Sequence, residues 1–377
     1  MFDSIVIGAG FAGSVVAERL ASQKNHKVLV VEKEKHIGGH CYDYRNELGI
    51  IIHKYGPHLF HTDSKLVWDY LSQFTEWDYY QHHVLAFIDG KNVPLPFSFS
   101  TMEMLFPTET ARRIEDKLLQ LYTYNQRVPI MELLKQNDPD IRFISEYIYE
   151  KVFKNYTIKQ WKLKLNEIDS AVSARVPILV GYDTRYFTDT YQAVPKYGYT
   201  KLFENLLNHP NIKLLLGTSF SEIAEIKDDK IYVDGKLFKG IVYFTGMLDE
   251  LFGYDEGELP YRSLKLEFKT LSQEYYQNCA TINYPNNYAF TRITEFKHIH
   301  KIKNNGTTIL IEYPLRYKKD ENRAYYPIFT EDSKKMYGKY LAKATKIKNL
   351  VPIGRLAEYK YYDMDDVVEK ALAEVMN

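Results

Sequence analysis

Cysteine is nearly absent. Cys41 and Cys279 are the only two in 377 residues and stand far apart, without CxxC spacing, so neither a disulfide framework nor a cysteine zinc site can be read, and a reducing cytoplasm fits best. An excess of either charge is missing as well, because 49 Lys and Arg face 49 Asp and Glu. Bulk electrostatics therefore would not hold this chain on a nucleic acid or a membrane surface, and an anionic ligand has to be met by a few placed basic groups. Long apolar runs are missing too. The longest uncharged stretch near the N-terminus, residues 4–17, has 14 residues, short of the roughly 18–20 of a membrane helix. With Asp3 and no basic leader it does not read as a signal peptide, and membrane insertion is not expected. No internal repeat and no His and carboxylate set with metal-ligand spacing occurs.

Tyrosine is abundant: 33 Tyr stand beside 20 Phe and 3 Trp, which suits surfaces that stack and hydrogen-bond at once. The length is about 2.5 times a ~150-residue domain, so two or three domains, or one with insertions, are expected. Residues 4–7 read as a strand, 12–20 as a helix and 28–31 as a strand, the opening of a parallel sheet. Thr62 or Asp63 can cap a helix with Leu66, Val67, Tyr70, Leu71 and Phe74 on its apolar face. A hairpin over 84–88 and 93–97 turns at Asp89-Gly90, and Pro94 and Pro96 make its second strand an edge. Residues 101–165 are helical in pattern, with Ile114, Leu118 and Leu121 on one face and Phe143, Ile144, Tyr147 and Ile148 on another. Strands at 213–216 and 240–244 return to the parallel-sheet idiom, short alternating strands fill 264–311, and 363–376 is an amphipathic helix with Val367, Val368, Ala371, Leu372 and Val375 inward.

Gly8-Ala9-Gly10-Phe11-Ala12-Gly13 follows the first strand and opens the first helix, and Glu32 closes the second strand 19 residues after Gly13. Gly8 permits a tight turn, Gly10 lets backbone N–H groups approach a pyrophosphate, Gly13 lets helix and strand pack closely, and Glu32 can accept from ribose hydroxyls. A further pair, Gly38-Gly39, resembles the flavoprotein pattern of the amine-oxidase and glutathione-reductase type, which implies FAD rather than NAD. An acid at position 32 argues against a 2′-phosphate.

Further segments stand out: Tyr55-Gly56-Pro57-His58-Leu59-Phe60-His61-Thr62, Tyr156-Thr157-Ile158-Lys159-Gln160-Trp161, Ala174-Arg175-Val176-Pro177, Pro195-Lys196-Tyr197-Gly198-Tyr199-Thr200, Thr291-Arg292-Ile293-Thr294-Glu295, Tyr325-Tyr326-Pro327, Gly354-Arg355-Leu356 and Tyr361-Tyr362-Asp363-Met364-Asp365. Together they resemble the UDP-galactopyranose mutase family of flavoenzymes. The resemblance implies an α/β fold: a Rossmann-like FAD-binding domain (1–80, 196–248 and 346–377), an inserted α-helical domain (98–170) and an antiparallel-sheet substrate domain (81–97, 171–195 and 249–345). It also implies a cytoplasmic homodimer that isomerises UDP-galactopyranose to UDP-galactofuranose for cell-surface polysaccharide. N5 of the reduced FAD would attack the anomeric carbon as UDP leaves, with no net electron transfer, and an electron donor such as NAD(P)H or a reductase would keep the flavin reduced.

By the same resemblance Arg175 and Arg292 contact the pyrophosphate, Tyr156 stacks on uracil, and Trp161 sits on the loop over the site. Tyr186, Tyr326 and Tyr361 hydrogen-bond the diphosphate, and Thr157 and Asn283 complete the substrate contacts. His58 and Asp363 join the two arginines in the catalytic pocket. FAD contacts fall on Gly8, Gly10, Phe11, Ala12, Gly13, Glu32, Lys33, Gly39, His40, His58, Leu59, Phe220, Thr245, Gly246, Arg355, Tyr362, Asp363 and Met364. Taken one by one, the arginines also read as surface ion pairs, the aromatics as packing, His58 as a turn histidine and Asp363 as a helix cap. His61, His82 and His83 have no assigned role. Val152-Phe153, His82-His83-Val84 and Gly240 depart from the family pattern, thinning a uracil contact, removing a positive charge near the sugar and replacing an acid. The alternatives are the same chemistry on UDP-N-acetylgalactosamine, an amine-oxidase-like FAD oxidoreductase, or a nucleotide-sugar-binding module without turnover.

Overall fold

The computed structural model describes residues 2–161 and 177–376, with only the backbone of Thr157, Gln160 and Trp161. These residues divide into two compact units, one built from residues up to Tyr79, Asp189–Tyr261 and from Ala324 on, the other from Tyr80–Thr188 and Arg262–Arg323.

The first unit is organised on a five-stranded parallel sheet in the order Ile212–Leu216, Val28–Glu32, Ser4–Ile7, Ile241–Phe244, Leu350–Pro352. Ser4–Ile7 and Val28–Glu32 are buried along their whole length, as continuous aliphatic runs covered on both faces must be. Three helices, Phe11–Gln23, Tyr199–Leu207 and Met364–Met376, supply the covering on the face that carries Val6, Val28 and Val30. Val15, Val16 and Leu20 of the first, Leu202, Phe203 and Leu206 of the second, and Val368, Leu372 and Val375 of the third meet Val28 and Val30 in one core. Each such side chain contributes about 1.5–3 kcal/mol when fully buried.

The helix expected after Thr62 starts later. Thr62 ends the strand Phe60–Thr62, and Ser64 is the cap of Lys65–Leu71, its hydroxyl accepting from the Val67 N–H. Val67, Tyr70 and Leu71 face inward and Leu66 is exposed, since 67, 70 and 71 share a helical stripe and 66 does not.

In the second unit six strands form one sheet in the order Tyr261–Leu271, Thr307–Arg316, Arg292–Glu295, Thr281–Asn283, Val84–Ile88, Lys91–Leu95, and Arg127–Pro129 pairs apart with Pro177–Leu179. All neighbours are antiparallel except Val84–Ile88 with Thr281–Asn283, which run parallel. The proline-bearing strand is at the edge, as its missing N–H groups require. Phe99–Leu105, Thr108–Leu121 and Pro139–Ile148 are helices. They have no core of their own: Met102, Ile114, Leu118, Ile141, Ile144 and Ile148 share one cluster with Ala86, Ile88 and Val93 of the hairpin. The expected division into a separate helical and a separate sheet domain therefore gives way to one unit, and 249–261 and 324–345 belong to the parallel-sheet unit. Leu121 and Phe143, expected inward, are exposed, Leu121 because it ends its helix. Among the described residues no helix is long and apolar enough to cross a membrane, and no group of His, Cys, Asp or Glu could hold a metal ion.

One cap joins distant segments of the first unit. The helix Tyr199–Leu207 begins at Gly198, φ 93°, with no side chain to cap it. The buried carboxylate of Asp43 accepts the Tyr199 and Thr200 N–H groups at 2.5 and 2.9 Å instead. A Cβ at Gly198 would stand 2.8 Å from that carboxylate. Asp43→Ala is expected to lower the unfolding free energy by about 1–3 kcal/mol, read by thermal or urea unfolding, and no change would remove the cap from the account.

Candidate functional site

At the head of the parallel sheet, backbone meets backbone. Gly8 has φ 103°, and a Cβ there would lie 2.0 Å from Thr245 Oγ1, while one at Gly13 would lie 1.9 Å from the Gly8 carbonyl oxygen. Gly10 is the N-cap of Phe11–Gln23 and brings no capping side chain, so the first N–H groups of that helix stay available to an anion. The second glycine pair closes on the first turn. The Gly38 N–H donates to the Ala9 carbonyl at 2.8 Å, and a Cβ on Gly39 would sit 3.1 Å from Gly10 Cα. Gly354, φ 94°, comes in against Ala12 in the same way.

The expected dinucleotide residues of this unit are placed as follows. Glu32 is buried, and its two oxygens accept the N–H groups of Ala9 and Glu34 at 2.8 and 2.9 Å. It therefore shapes the glycine turn while keeping lone pairs for a further donor. Phe11 packs on Phe203 and Tyr199 in the core, so only its backbone faces the turn. Lys33 pairs with Glu250 at the surface, Thr245 Oγ1 donates to the Ile7 carbonyl beside Gly246, and Phe220 lies against Phe244. Met364 opens the last helix with its sulfur 3.6 Å from Cys41 Sγ. The Asp363 N–H donates to Asp366, and the Tyr362 hydroxyl donates to Glu358, whose other oxygen takes the Gly354 N–H. At Gly240 an acid could not stand, for a Cβ would meet the Asp3 carbonyl oxygen at 2.1 Å.

Around Arg355 an aromatic stack forms. Its guanidinium lies 4.2 Å over the Tyr326 ring, and Tyr326 stacks on Tyr361 at 5.0 Å. Arg355 Nη2 donates to His40 Nδ1 at 3.1 Å, and His40 stacks on Tyr325 at 5.0 Å. His58 follows Gly56-Pro57 and is half-buried, as is Leu59. Its Nδ1–H donates to the Gly56 carbonyl and its N–H to His53 Nδ1. Burial, with the positive charge of Arg355, lowers its pKa to about 4. His61 pairs with Asp189 at 3.2 Å; burial works against its charge, but that carboxylate raises its pKa overall.

In the second unit one row of paired residues crosses the sheet: Ala86, Asn283, Arg292, Glu312. Alternation puts Ile282, Ile293 and Ile311 on the other face. Arg292 Nη2 donates to the Tyr156 hydroxyl at 3.3 Å and its Nε lies 3.5 Å from Glu312, which is 4% exposed. Burial opposes the charge on Arg292, but Glu312, Tyr156 and Tyr186 outweigh it and raise the pKa. Glu312 has Arg262 as a second cationic neighbour, yet burial still pushes its carboxyl up. Asn283, 8% exposed, keeps its Oδ1 without a hydrogen-bond partner among the described residues.

Sequence reasoning missed Glu312. Its signal was a lone acid in the apolar run 308–315, but only the register shows that it pairs with Arg292. Tyr186 is 39% exposed, its N–H donating to the His82 carbonyl and its ring against those of His82 and Phe187. His82 Nδ1 lies 3.1 Å from the Tyr80 hydroxyl, and His83 donates to the Thr184 carbonyl, so both histidines hold the 184–187 segment. Val152 and Phe153 are buried in the helical core. Thr157 and Trp161 lie on the helix Asn155–Trp161 with Tyr156, while Arg175 lies outside the described residues.

Comparison with known proteins adds the following. The model of the UDP-galactopyranose mutase family matches residues 151–361, and that of an NAD(P)-binding Rossmann-like domain matches residues 6–74. UDP-galactopyranose mutase of Mycoplasma pneumoniae is 35% identical across 99% of this chain and 95% of its own length. dTDP-fucopyranose mutase of Escherichia coli is 33% identical across 98% and 96%, and a probable UDP-galactopyranose mutase of Klebsiella pneumoniae 34% across 98% and 92%. Among solved structures, reduced UDP-galactopyranose mutase superposes with a TM-score of 0.73 at 15% identity over 100% of this chain and 93% of that one. Putrescine oxidase superposes at 0.60 and 10% identity over 100% and 98%, a likeness of fold alone. With Arg292, Tyr156 and the glycine cradle standing on the motifs that first suggested it, the chain belongs to the UDP-galactopyranose mutase family.

Proposed function

We propose that this protein is an isomerase that interconverts UDP-galactopyranose and UDP-galactofuranose with FAD as its cofactor. The observation that carries the reading is the match to a UDP-galactopyranose mutase over nearly the full length of both chains. The cradle of Gly8, Gly10, Gly13 and Gly39, with Glu32 behind it, fits a dinucleotide, because the glycines let the two turns and the helix start close on one another while the first N–H groups of the helix stay open to a phosphate. Reduced FAD supplies a nucleophilic nitrogen at the anomeric carbon of the sugar.

The chain's own residues do the rest. Arg292 holds the diphosphate as a fixed charge, and Glu312 balances it while the site is empty, so that the guanidinium stays oriented. Tyr156 presents its ring to uracil, and Asn283 Oδ1, buried and without a hydrogen-bond partner among the described residues, is an acceptor for a sugar or base N–H or O–H. Arg175, Tyr186, Tyr326 and Tyr361 serve the same nucleotide, with Thr157 and Trp161. Arg355, His40, Leu59, Tyr362 and Met364 would hold the flavin, and Phe11, Ala12, Lys33, Phe220, Thr245 and Gly246 the rest of the dinucleotide. Asp363, just before the last helix, would serve the catalytic pocket. His58 is neutral at pH 7 with its proton committed on Nδ1 to a carbonyl, so Nε2 faces its surroundings as an acceptor. We place the enzyme in the cytoplasm, where both cysteines stay free thiols, as a homodimer whose flavin an NAD(P)H-dependent donor keeps reduced.

The Escherichia coli relative favours a second reading, a thymidine-linked 6-deoxy sugar, because its identity to this chain is nearly that of the Mycoplasma protein. Chromatography of nucleotide sugars decides. Dithionite-reduced protein is expected to make furanose from UDP-galactopyranose faster than from dTDP-fucopyranose or UDP-N-acetylgalactosamine, and oxidised protein far less. No furanose from any of the three would overturn the reading.

Arg292→Ala is expected to keep FAD and lose about 30- to 1,000-fold in kcat/KM, a charge-assisted contact removed from a desolvated site. Retention of half the wild-type value would take Arg292 off the diphosphate. For His58, the folded pKa lies below the unfolded value of about 6.5, so between these two the unfolded chain binds more protons and stability is lost as pH falls. NMR titration of the cofactor-free protein should find the ring neutral at pH 6. His58→Gln should flatten part of the loss of stability between pH 7 and 4.

A further inference from the structure

The helix Asn155–Trp161 has one charged group that no part of the proposed chemistry uses. Lys159 Nζ donates toward four backbone carbonyls, those of Tyr284, Asn286, Tyr288 and Phe290, at 2.6, 3.2, 3.1 and 2.9 Å. These are alternate residues of the loop between the strands Thr281–Asn283 and Arg292–Glu295, curled so that their oxygens converge on one point. Four carbonyl dipoles aimed at one another repel unless a cation sits among them, and an ammonium has three hydrogens to share between them. The same loop is closed by the Tyr284 N–H donating to Thr291 at 2.8 Å and by the packing of Tyr284, Tyr288 and Phe290 on each other. Its next residues are Thr291 and Arg292.

Three positions before Lys159 on the helix, on the same face, stands Tyr156, whose hydroxyl takes the Arg292 hydrogen bond. One helix face is thus fastened twice, by the ammonium to the loop and by the phenol to the strand that follows it. We propose that Lys159 is a positioning residue: its ammonium, held in the carbonyl ring of residues 284–290, sets Tyr156 against Arg292 and so shapes the nucleotide site without touching the nucleotide. The proposal rests on the functional reading above, in which Tyr156 and Arg292 meet UDP.

The test is a double-mutant cycle on FAD-loaded, dithionite-reduced enzyme, with UDP affinity by equilibrium titration and KM and kcat for UDP-galactopyranose. Lys159→Met is expected to weaken UDP binding and raise KM by about tenfold or more, the worth of a charge-assisted contact, with kcat little changed. Tyr156→Phe should weaken UDP binding in the wild-type background and add little in the Lys159→Met background, because the lysine acts through that tyrosine. Lys159→Gln, whose amide still donates to carbonyls, carries the same cycle if the methionine variant loses FAD or unfolds. Wild-type affinity in the variants, or effects that multiply, would overturn the proposal, as would unfolding of both variants, which would make Lys159 a folding residue. A wild type that binds UDP and makes no furanose would instead sink the functional reading alone.

Discussion

Everything at the head of the parallel sheet depends on segments approaching one another more closely than a side chain at the glycines would allow. Gly8 and Gly13 let the strand Ser4–Ile7 turn straight into its helix, Gly39 brings a second turn onto the first, and Gly354 brings the C-terminal segment onto Ala12. A phosphate chain needs that approach, since it is bound by N–H groups rather than by cationic side chains. Glu32 keeps the arrangement by taking the Ala9 N–H. The cost is conformational: each glycine has more freedom to lose on folding than another residue would, and the buried aliphatic core beneath offsets it.

The second unit solves a different problem. A chain with no net charge carries its working cations singly, and a cation drawn out of water needs compensation from the groups around it. Arg292 has Glu312 and a phenol, and Lys159 has four carbonyls. Both are half-buried and fastened by several partners, so each holds its direction as well as its sign.

Local signals were legible in the sequence and register was not. The glycine spacing, the edge strand marked by Pro94 and the terminal amphipathic helix follow from rules that act over a few residues, and all three stand in the structure. Glu312 opposite Arg292, Asp189 beside His61 and Asp43 on the distant Tyr199–Leu207 helix depend on which strands become neighbours, which no short pattern encodes. The same physics explains why the helices looked like a domain. Their apolar stripes were read correctly at Ile114, Leu118, Ile144 and Ile148, but what the stripes pack on, the hairpin residues Ala86, Ile88 and Val93, comes from outside the helical segment. The cap at Ser64 was displaced from Thr62 because strand pairing claimed Thr62 first.

The strand order has a consequence for biogenesis. The central strand Ser4–Ile7 pairs with Val28–Glu32 as soon as both exist, but its other neighbour, Ile241–Phe244, is more than two hundred residues later, and that strand's own partner, Leu350–Pro352, later still. The parallel pair of the second unit likewise waits for Thr281–Asn283 to reach Val84–Ile88. Chains dominated by such distant pairings fold slowly, because loop closure comes before the contacts that reward it. A nascent chain on the ribosome can therefore complete neither unit early. It emerges with one edge each of Val28–Glu32 and Val84–Ile88 unpaired, open to wrong pairing until Ile212–Leu216 and Thr281–Asn283 have been made.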